Sequence, residues 1–268
     1  MCGIAGFLGN TERSVATIER QLSLLEHRGP DSSGYFTGSI GTIGQTRLAV
    51  IDLDTGDPPI SNEDGSVGVA LNGEIYNFAA LREELHSKDH RFSTKGDTEV
   101  LAHLAEDFDP VELAVRLDGM FAFAVLDDRT GRLILGRDRF GKKPLYYWAS
   151  QGRFAFASEI KALLAHPQVP EELDEEALPA YLTFGYVPTP RTFFRDIRSL
   201  PPGHVLVVEP GREPRLIQYW SVQLPMAGEP GREDLSFDEA ALQVRGHLTD
   251  VVRKRMVADV PLGAFLSG

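Results

Sequence analysis

The sequence predicts an α+β fold of layered sheets and helices, and three observations predict it. Strand-length apolar runs recur from the N-terminus to about residue 208, with short helical patterns set between them. Two of those runs flank the turn Asp127-Asp128-Arg129-Thr130-Gly131, which makes them a hairpin. At 268 residues, 42% hydrophobic and 25% charged, the chain can bury a substantial core in one large domain or two smaller ones.

Taken in order, Gly3-Ile4-Ala5-Gly6-Phe7-Leu8 reads as a buried strand rather than a frayed tail. Ile18, Leu22 and Leu25 share one face of a helix, with Ser14 ahead of them as its cap. Val67-Gly68-Val69-Ala70-Leu71 is a strand. Leu81 and Leu85 mark a short helix after Asn77, and Val100, Leu101, Leu104 and Phe108 mark another, with Asp97 near its start. Residues 120–126 are apolar without interruption, which predicts a strand covered on both faces and paired with residues 133–135. Phe154-Ala155-Phe156-Ala157 and Val205-Leu206-Val207-Val208 are further strands.

The composition changes after Pro210. Residues 226–233 are rich in Gly, Pro and charge, which suits a linker over 211–235 between a domain at 1–210 and the opening of a second at 236–268. Ser236 and Glu239 form a capping-box pattern at the start of a helix striped by Ala241, Val244, Leu248, Val251 and Val252. After Asp259-Val260-Pro261, the run Leu262-Gly263-Ala264-Phe265-Leu266 predicts a buried strand entering the small-residue loop Ser267-Gly268.

A formal net charge of −12 argues against nucleic acid or an anionic membrane as partner. The single cysteine excludes an intramolecular disulfide and a cysteine-based metal cluster. No signal peptide is legible, and no apolar stretch approaches the ~20 residues that span a bilayer. A reducing cytoplasm fits, and keeps an exposed thiol usable. No zinc or iron ligand spacing is present. The seven histidines are scattered and read as structural or exposed, so no metal is expected.

That one cysteine sits second, where removal of Met1 makes it the N-terminus. A terminal cysteine carries nucleophile and base on one residue, the thiol attacking while the free α-amine takes the proton. The amine ordinarily titrates at about 7.7–8.0 and the thiol at about 8.5, so exchange between them is nearly level. With Met1 retained, that amine is an amide and has no basicity. A cysteine at position two is also what chance leaves in a frayed terminus, a reading the apolar run after it opposes.

An acyl-transfer cysteine needs an oxyanion hole, a substrate clamp and support for its own loop. Asn72-Gly73 directly follows a predicted strand, and an Asn amide with a Gly N–H can meet one oxyanion. The same dipeptide is a strong hairpin signal and by itself reads as a turn. Arg47 can grip a carboxylate with its planar fork, while Glu74 and Asp97 can accept from an ammonium. Singly, Arg47 reads as a surface ion pair and Asp97 as a helix cap. Arg28, in His27-Arg28-Gly29-Pro30-Asp31, either braces the Cys2 loop or is solvated. His27 is set aside as a base because the terminal amine fills that role. Arg137-Asp138-Arg139-Phe140-Gly141-Lys142-Lys143-Pro144 is a charged loop, either facing a partner domain or ligand phosphate or forming a solvated hairpin end.

In order along the chain, these segments resemble the class II, N-terminal-nucleophile glutamine amidotransferases, and among them the glutamine-hydrolysing asparagine synthetases. The matching stretches are Cys2-Gly3-Ile4-Ala5-Gly6, His27-Arg28-Gly29-Pro30-Asp31, residues 47–53, Leu71-Asn72-Gly73-Glu74-Ile75-Tyr76-Asn77 and Gly96-Asp97-Thr98-Glu99-Val100. They continue through residues 137–147, Ser158-Glu159-Ile160-Lys161-Ala162-Leu163, Leu200-Pro201-Pro202-Gly203-His204 and residues 259–268. Amidophosphoribosyltransferases and glucosamine-6-phosphate synthases share the Cys2 terminus and an Asn-Gly pair, but the Arg-Gly-Pro-Asp and Leu-Pro-Pro-Gly-His segments favour the synthetases. β-Lactam synthetases lack the cysteine.

The resemblance implies an αββα sandwich that hydrolyses glutamine to glutamate and ammonia through a Cys2 thioester, without a cofactor. By position, Asn72 and Gly73 form the oxyanion hole, Arg47 binds the glutamine α-carboxylate, and Glu74 and Asp97 bind its α-ammonium. The stretch Arg47, Leu48, Ala49, Val50, Ile51 lines the pocket through its backbone. The resemblance also implies a synthetase half that uses ATP and Mg2+ to amidate aspartate with ammonia delivered through an internal tunnel. Leu266, Ser267 and Gly268 would open its Ser-Gly-Gly-x-Asp-Ser loop, whose backbone N–H groups cradle pyrophosphate. The chain stops there, so glutaminase activity alone is expected of it. A synthetase of the same architecture with another acceptor acid, or a non-catalytic glutamine-binding module, stands as the alternative. A homodimer is compatible with this reading.

Overall fold

The N-terminal strand lies in the middle of a sheet. In this computed structural model residues 2–9, 14–223 and 235–266 are described. The strands are β1 (Gly3–Leu8), β2 (Ser32–Thr37), β3 (Gly41–Arg47), β4 (Ile60–Ser61), β5 (Val67–Ile75) and β6 (Gly119–Asp127). They continue with β7 (Arg132–Arg137), β8 (Tyr146–Ser150), β9 (Arg153–Ala157), β10 (Ile197–Ser199), β11 (His204–Val208) and β12 (Arg215–Gln218). The helices are α1 (Ser14–Ser23), α2 (Phe78–His86), α3 (Val100–Asp107), α4 (Pro110–Arg116), α5 (Ile160–Leu164), α6 (Leu178–Phe184) and α7 (Phe237–Lys254).

Two antiparallel sheets result, one in the order β10-β8-β9-β1-β3-β2, the other β12-β11-β7-β6-β5-β4. Strand β6 shows how they stack. Its even residues Ala122, Ala124 and Leu126 join Ile4, Ile43 and Phe156 of the first sheet in a core between the sheets. Its odd residues Phe121, Phe123 and Val125 pack against Leu81, Leu101 and Leu113 of α2, α3 and α4. A strand alternates its side chains face to face, so an unbroken apolar run is the pattern of one covered on both sides. On the far side, Ile18 and Leu22 of α1 and Leu163 of α5 cover Phe7 and Trp148. Each such large side chain contributes roughly 1.5–3 kcal/mol by leaving water. The layers are therefore helix, sheet, sheet, helix, the αββα sandwich that was expected.

Several local expectations are corrected. Asn72-Gly73 is not a turn: both residues lie inside β5, opposite Ala122 and Phe121 of β6. The pair of sheet neighbours outweighs the turn preference of the dipeptide, and Gly is required there because a Cβ on Gly73 would meet the Met120 carbonyl oxygen at 2.1 Å. Strand β3, of sequence GTIGQTR, is buried along its whole length although it has little apolar signal, because it runs between β1 and β2 under α1. Ser14, expected as the cap of α1, is itself helical and is the first described residue of that helix.

Residues 215–218, placed in the linker by composition, form β12 and pair with β11. Tyr219 follows with its hydroxyl donating to the Arg137 carbonyl at 2.8 Å. Helix α7 has both halves of the Ser236–Glu239 capping box, and its apolar stripe is exposed. The strand expected over 262–266 does not form, and Phe265 and Leu266 are fully exposed. A strand needs a neighbour for its backbone groups, and no sheet edge meets this stretch. Residues 226–233, Met1, Ser267 and Gly268 lie outside the described residues.

Candidate functional site

Cys2 immediately precedes β1, and four bonds set its position. The Arg28 Nε–H donates to the Cys2 carbonyl at 2.9 Å, and Arg28 Nη1 donates to Glu159 Oε1 at 2.9 Å. The Gly3 N–H reaches Thr46 Oγ1 at 3.2 Å, and the Ile4 N–H reaches Ser158 Oγ at 2.9 Å. Of the two readings of Arg28, the brace is the one seen. His27 turns to Glu159, with Nε2 at 3.0 Å from Oε1. The Cys2 sulfur faces the chain leaving β3: the Leu48 N–H is 3.4 Å from Sγ, and Sγ is 3.8 Å from the Leu48 carbonyl. Burial pushes the Cys2 thiol up, with the Leu48 backbone contact working against it.

The thiol opens onto a cavity of about 280 Å³ between β3, β5 and the loop before α3. Asn72 lines this cavity, is 0% exposed, and neither its Nδ2 nor its Oδ1 has a hydrogen-bond partner. A buried amide left unpaired costs about 1–3 kcal/mol, a cost natural structures rarely carry without a use. Gly73 lies next to it on the same wall.

Arg47, Glu74 and Asp97 line the cavity too. Arg47 is 5% exposed, although Asp57, the carboxylate it pairs with, lies at the surface. Its Nη1 donates to Asp57 Oδ1 at 2.7 Å, and its Nη2 donates to the carbonyls of Ile51, at 3.0 Å, and Asp52. Three of the five guanidinium donors are thus spent on folding residues 51–57 over the site, leaving Nε–H and one Nη1–H. Asp97 caps no helix. Its Oδ2 accepts from the Ile75 N–H at 2.9 Å, and burial pushes its carboxyl up to about 6, with Glu74 adding to the rise. Burial also pushes Glu74 up, against the pull of Lys143 and Arg255, and pushes Lys143 down.

Residues 1–220 match the family described as the glutamine amidotransferase domain. The chain belongs to this family. It is 37% identical over 274 residues to glutamine-hydrolyzing asparagine synthetase 1 of Bacillus subtilis strain 168, covering 100% of this chain and 42% of that protein. It is also 37% identical to glutamine-hydrolyzing asparagine synthetase 2 of Arabidopsis thaliana, covering 40% of it. The chain therefore spans about two fifths of the length of these relatives. In fold, 82% of it superposes on 49% of the glutamine phosphoribosylpyrophosphate amidotransferase of B. subtilis, with a TM-score of 0.58 at 22% identity.

The amidotransferase domain brings Cys2, Arg47, Leu48, Val50, Ile51, Asn72, Gly73, Glu74 and Asp97 to one cavity. Ala49 is not on it, and its N–H is spent on Asp31 Oδ2 at 2.8 Å. Leu266 does not line it either. Gln45 and Met120 share the cavity without having been singled out, and so does Lys143 from the charged 137–144 loop. Gln45 lies in the weak-signal strand β3 and accepts from the Leu71 N–H at 2.9 Å. The charged 137–144 loop is turned inward at both ends and solvated at its tip: Arg137 binds the carbonyls of Gly141, Lys143 and Leu200 and Lys143 is 6% exposed, while Arg139, Phe140 and Lys142 are exposed. The amidotransferase domain also receives the chain after α7. The Asp259 N–H donates to the Val50 carbonyl at 2.8 Å, and the Asp52 N–H donates to Asp259 Oδ2 at 2.7 Å.

Proposed function

We propose that this domain hydrolyses glutamine to glutamate and ammonia, with Cys2 as nucleophile. The observation that supports it most is the unpaired, fully buried Asn72 amide on the cavity that holds the Cys2 thiol. With Met1 removed, the Cys2 α-amine takes the thiol proton, and the sulfur attacks the side-chain amide carbon of glutamine. Asn72 Nδ2–H and the Gly73 N–H receive the oxyanion. Collapse breaks the C–N bond, the α-ammonium returns its proton to the leaving nitrogen, and ammonia departs from a thioester. Water then adds to the thioester and releases glutamate and the thiol. Arg47 holds the α-carboxylate with its two remaining N–H groups, and Glu74 and Asp97 hold the α-ammonium.

The names of the relatives support a further step, in which the ammonia goes to make asparagine; by the resemblance described above, that step amidates aspartate with ATP and Mg2+ in a cytoplasmic protein. Leu266, the one described residue of the expected ATP loop, is fully exposed and in no strand. No helix described is long and apolar enough to cross a membrane.

Ammonia release from glutamine, without ATP or aspartate, tests the hydrolysis, alongside intact mass to establish whether Cys2 is the N-terminus. Release that disappears in Cys2→Ala, with glutamine binding retained, is expected. Unchanged turnover in Cys2→Ala refutes the nucleophile. Binding without release on a free Cys2 terminus favours the glutamine-binding module.

A further inference from the structure

Away from the cavity, four side chains from separate stretches converge on one point. Glu63 follows β4, His90 follows α2, and His103 and Glu106 lie one turn apart on α3. One nitrogen or oxygen atom from each lies within 4.8 Å of the others. His103 Nδ1 is 3.2 Å from Glu106 Oε2 and 3.5 Å from Glu63 Oε2. His90 Nδ1 is 3.4 Å from Glu106 Oε2 and 3.9 Å from Glu63 Oε1.

The groups behind the two imidazoles decide what those nitrogens present. His90 Nε2 lies 3.2 Å from Asp107 Oδ1, whereas His103 Nε2 is buried without a hydrogen-bond partner, 3.8 Å from Glu99 Oε1. A carboxylate behind a ring takes the N–H of the neutral imidazole and leaves the lone pair on the other nitrogen, which is the arrangement at His90. At His103 the ring turns Nδ1 to hydrogen-bond distance of Glu106 Oε2, 3.2 Å, so a metal there takes the place of that hydrogen bond. Electron-rich atoms facing one centre repel unless a metal cation or a shared proton sits between them. The second oxygens of the two glutamates are held from outside: Glu106 Oε1 accepts from Asn62 Nδ2 at 3.0 Å and meets Arg129 Nη1 at 3.5 Å, and Glu63 Oε1 accepts from the Arg91 N–H at 2.6 Å.

We propose that Glu63, His90, His103 and Glu106 form a four-coordinate site for a divalent first-row transition metal, with Zn2+ the best fit. Zn–N and Zn–O bonds of about 2.0–2.2 Å place tetrahedral ligands about 3.3–3.6 Å apart. The separations of His103 Nδ1 from Glu106 Oε2 and Glu63 Oε2, 3.2 and 3.5 Å, and of His90 Nδ1 from Glu106 Oε2, 3.4 Å, lie in or close to that range. Two carboxylates and two neutral imidazoles balance the charge of the ion, and imidazole disfavours Ca2+ and Mg2+. With four protein ligands the site is structural. It ties the turn after β4 to α3, at both ends of the 91–99 loop that carries Asp97 to the cavity. Only His103 and Glu106 are spaced as ligands on one helix face, and Glu63 and His90 come from separate stretches, which hides the site from the sequence.

The chain, stripped with a chelator, is titrated with Zn2+ and with Co2+ and its metal content measured. One tightly held Zn2+ per chain, the visible absorption of tetrahedral Co2+, and a rise in Tm on metal addition are expected. His90→Ala and Glu63→Gln should each abolish stoichiometric binding. Glu63 is partly exposed, so Glu63→Gln tests the site in a chain that keeps its circular dichroism even if the loss of a histidine unfolds it. Absence of stoichiometric binding, an octahedral Co2+ spectrum, or binding unchanged in Glu63→Gln overturns the proposal. So does 15N NMR showing both Nδ1 atoms protonated in the presence of Zn2+, which would make the cluster a proton-bridged set of ion pairs.

Discussion

Arg28 joins the Cys2 carbonyl to Glu159, with a hydrogen bond of 2.9 Å on each side. Burial alone would raise the Glu159 carboxyl, but bonds from Arg28, His27 and Lys161 outweigh it and keep it ionised. The Cys2 carbonyl is thus held by a charge-assisted chain as well as by the strand that follows it. Arg28→Ala should lower kcat by roughly tenfold to a hundredfold, the loss of about 1.5–3 kcal/mol expected for a hydrogen bond to a charged group, with KM little changed. Steady-state kinetics on folded protein checks it, and a rise in KM alone would make Arg28 a binding residue.

Asn72 has no partner in the protein, so its removal should cost no native hydrogen bond. Asn72→Ala is expected to retain or slightly raise Tm while kcat falls roughly 10²–10³-fold. A fall in both Tm and kcat of the same variant would assign Asn72 to the fold instead.

The Asp97 carboxyl titrates at about 6, against an ordinary 3.8, because it is buried. An acid with a raised folded pKa binds more protons folded than unfolded, so stability falls as pH rises from about 3.8 to about 6. The full penalty, about 3 kcal/mol at about 1.4 kcal/mol per pH unit, then persists above pH 6. Asp97→Asn keeps an oxygen for the Ile75 N–H and removes the charge. Its Tm should exceed that of the parent at pH 8 and converge with it near pH 4. In the parent, kcat/KM for glutamine should fall as pH drops below about 6, where protonated Asp97 no longer attracts the ammonium. The variant should have a higher KM and lack that limb.

Asp259 holds the segment that roofs the cavity through the Asp52 N–H. Asp259→Ala should raise KM for glutamine about fivefold, the loss of one bond worth about 1 kcal/mol, without changing kcat. Isothermal titration with the Cys2→Ala chain gives the same quantity free of turnover. An unchanged affinity would make this contact irrelevant to the site.

What the sequence determined by itself was local. The unbroken apolar run of β6, the Asp127-to-Gly131 turn and the Ser236–Glu239 capping box all appear as read, because periodicity and capping act between near neighbours. The placing of the single cysteine second in the chain was legible for the same reason. Only the tertiary structure decided which neighbours each group would have. Asn72-Gly73 is a strand rather than a turn because β6 pairs with it, and Arg47 is buried because residues 51–57 fold over it. Strand β3 is core despite its polar sequence because two strands and a helix enclose it. Glu63, His90, His103 and Glu106 meet although they are spread along the chain. Such meetings depend on sheet order and layer packing, which join residues far apart in sequence and leave no local trace there.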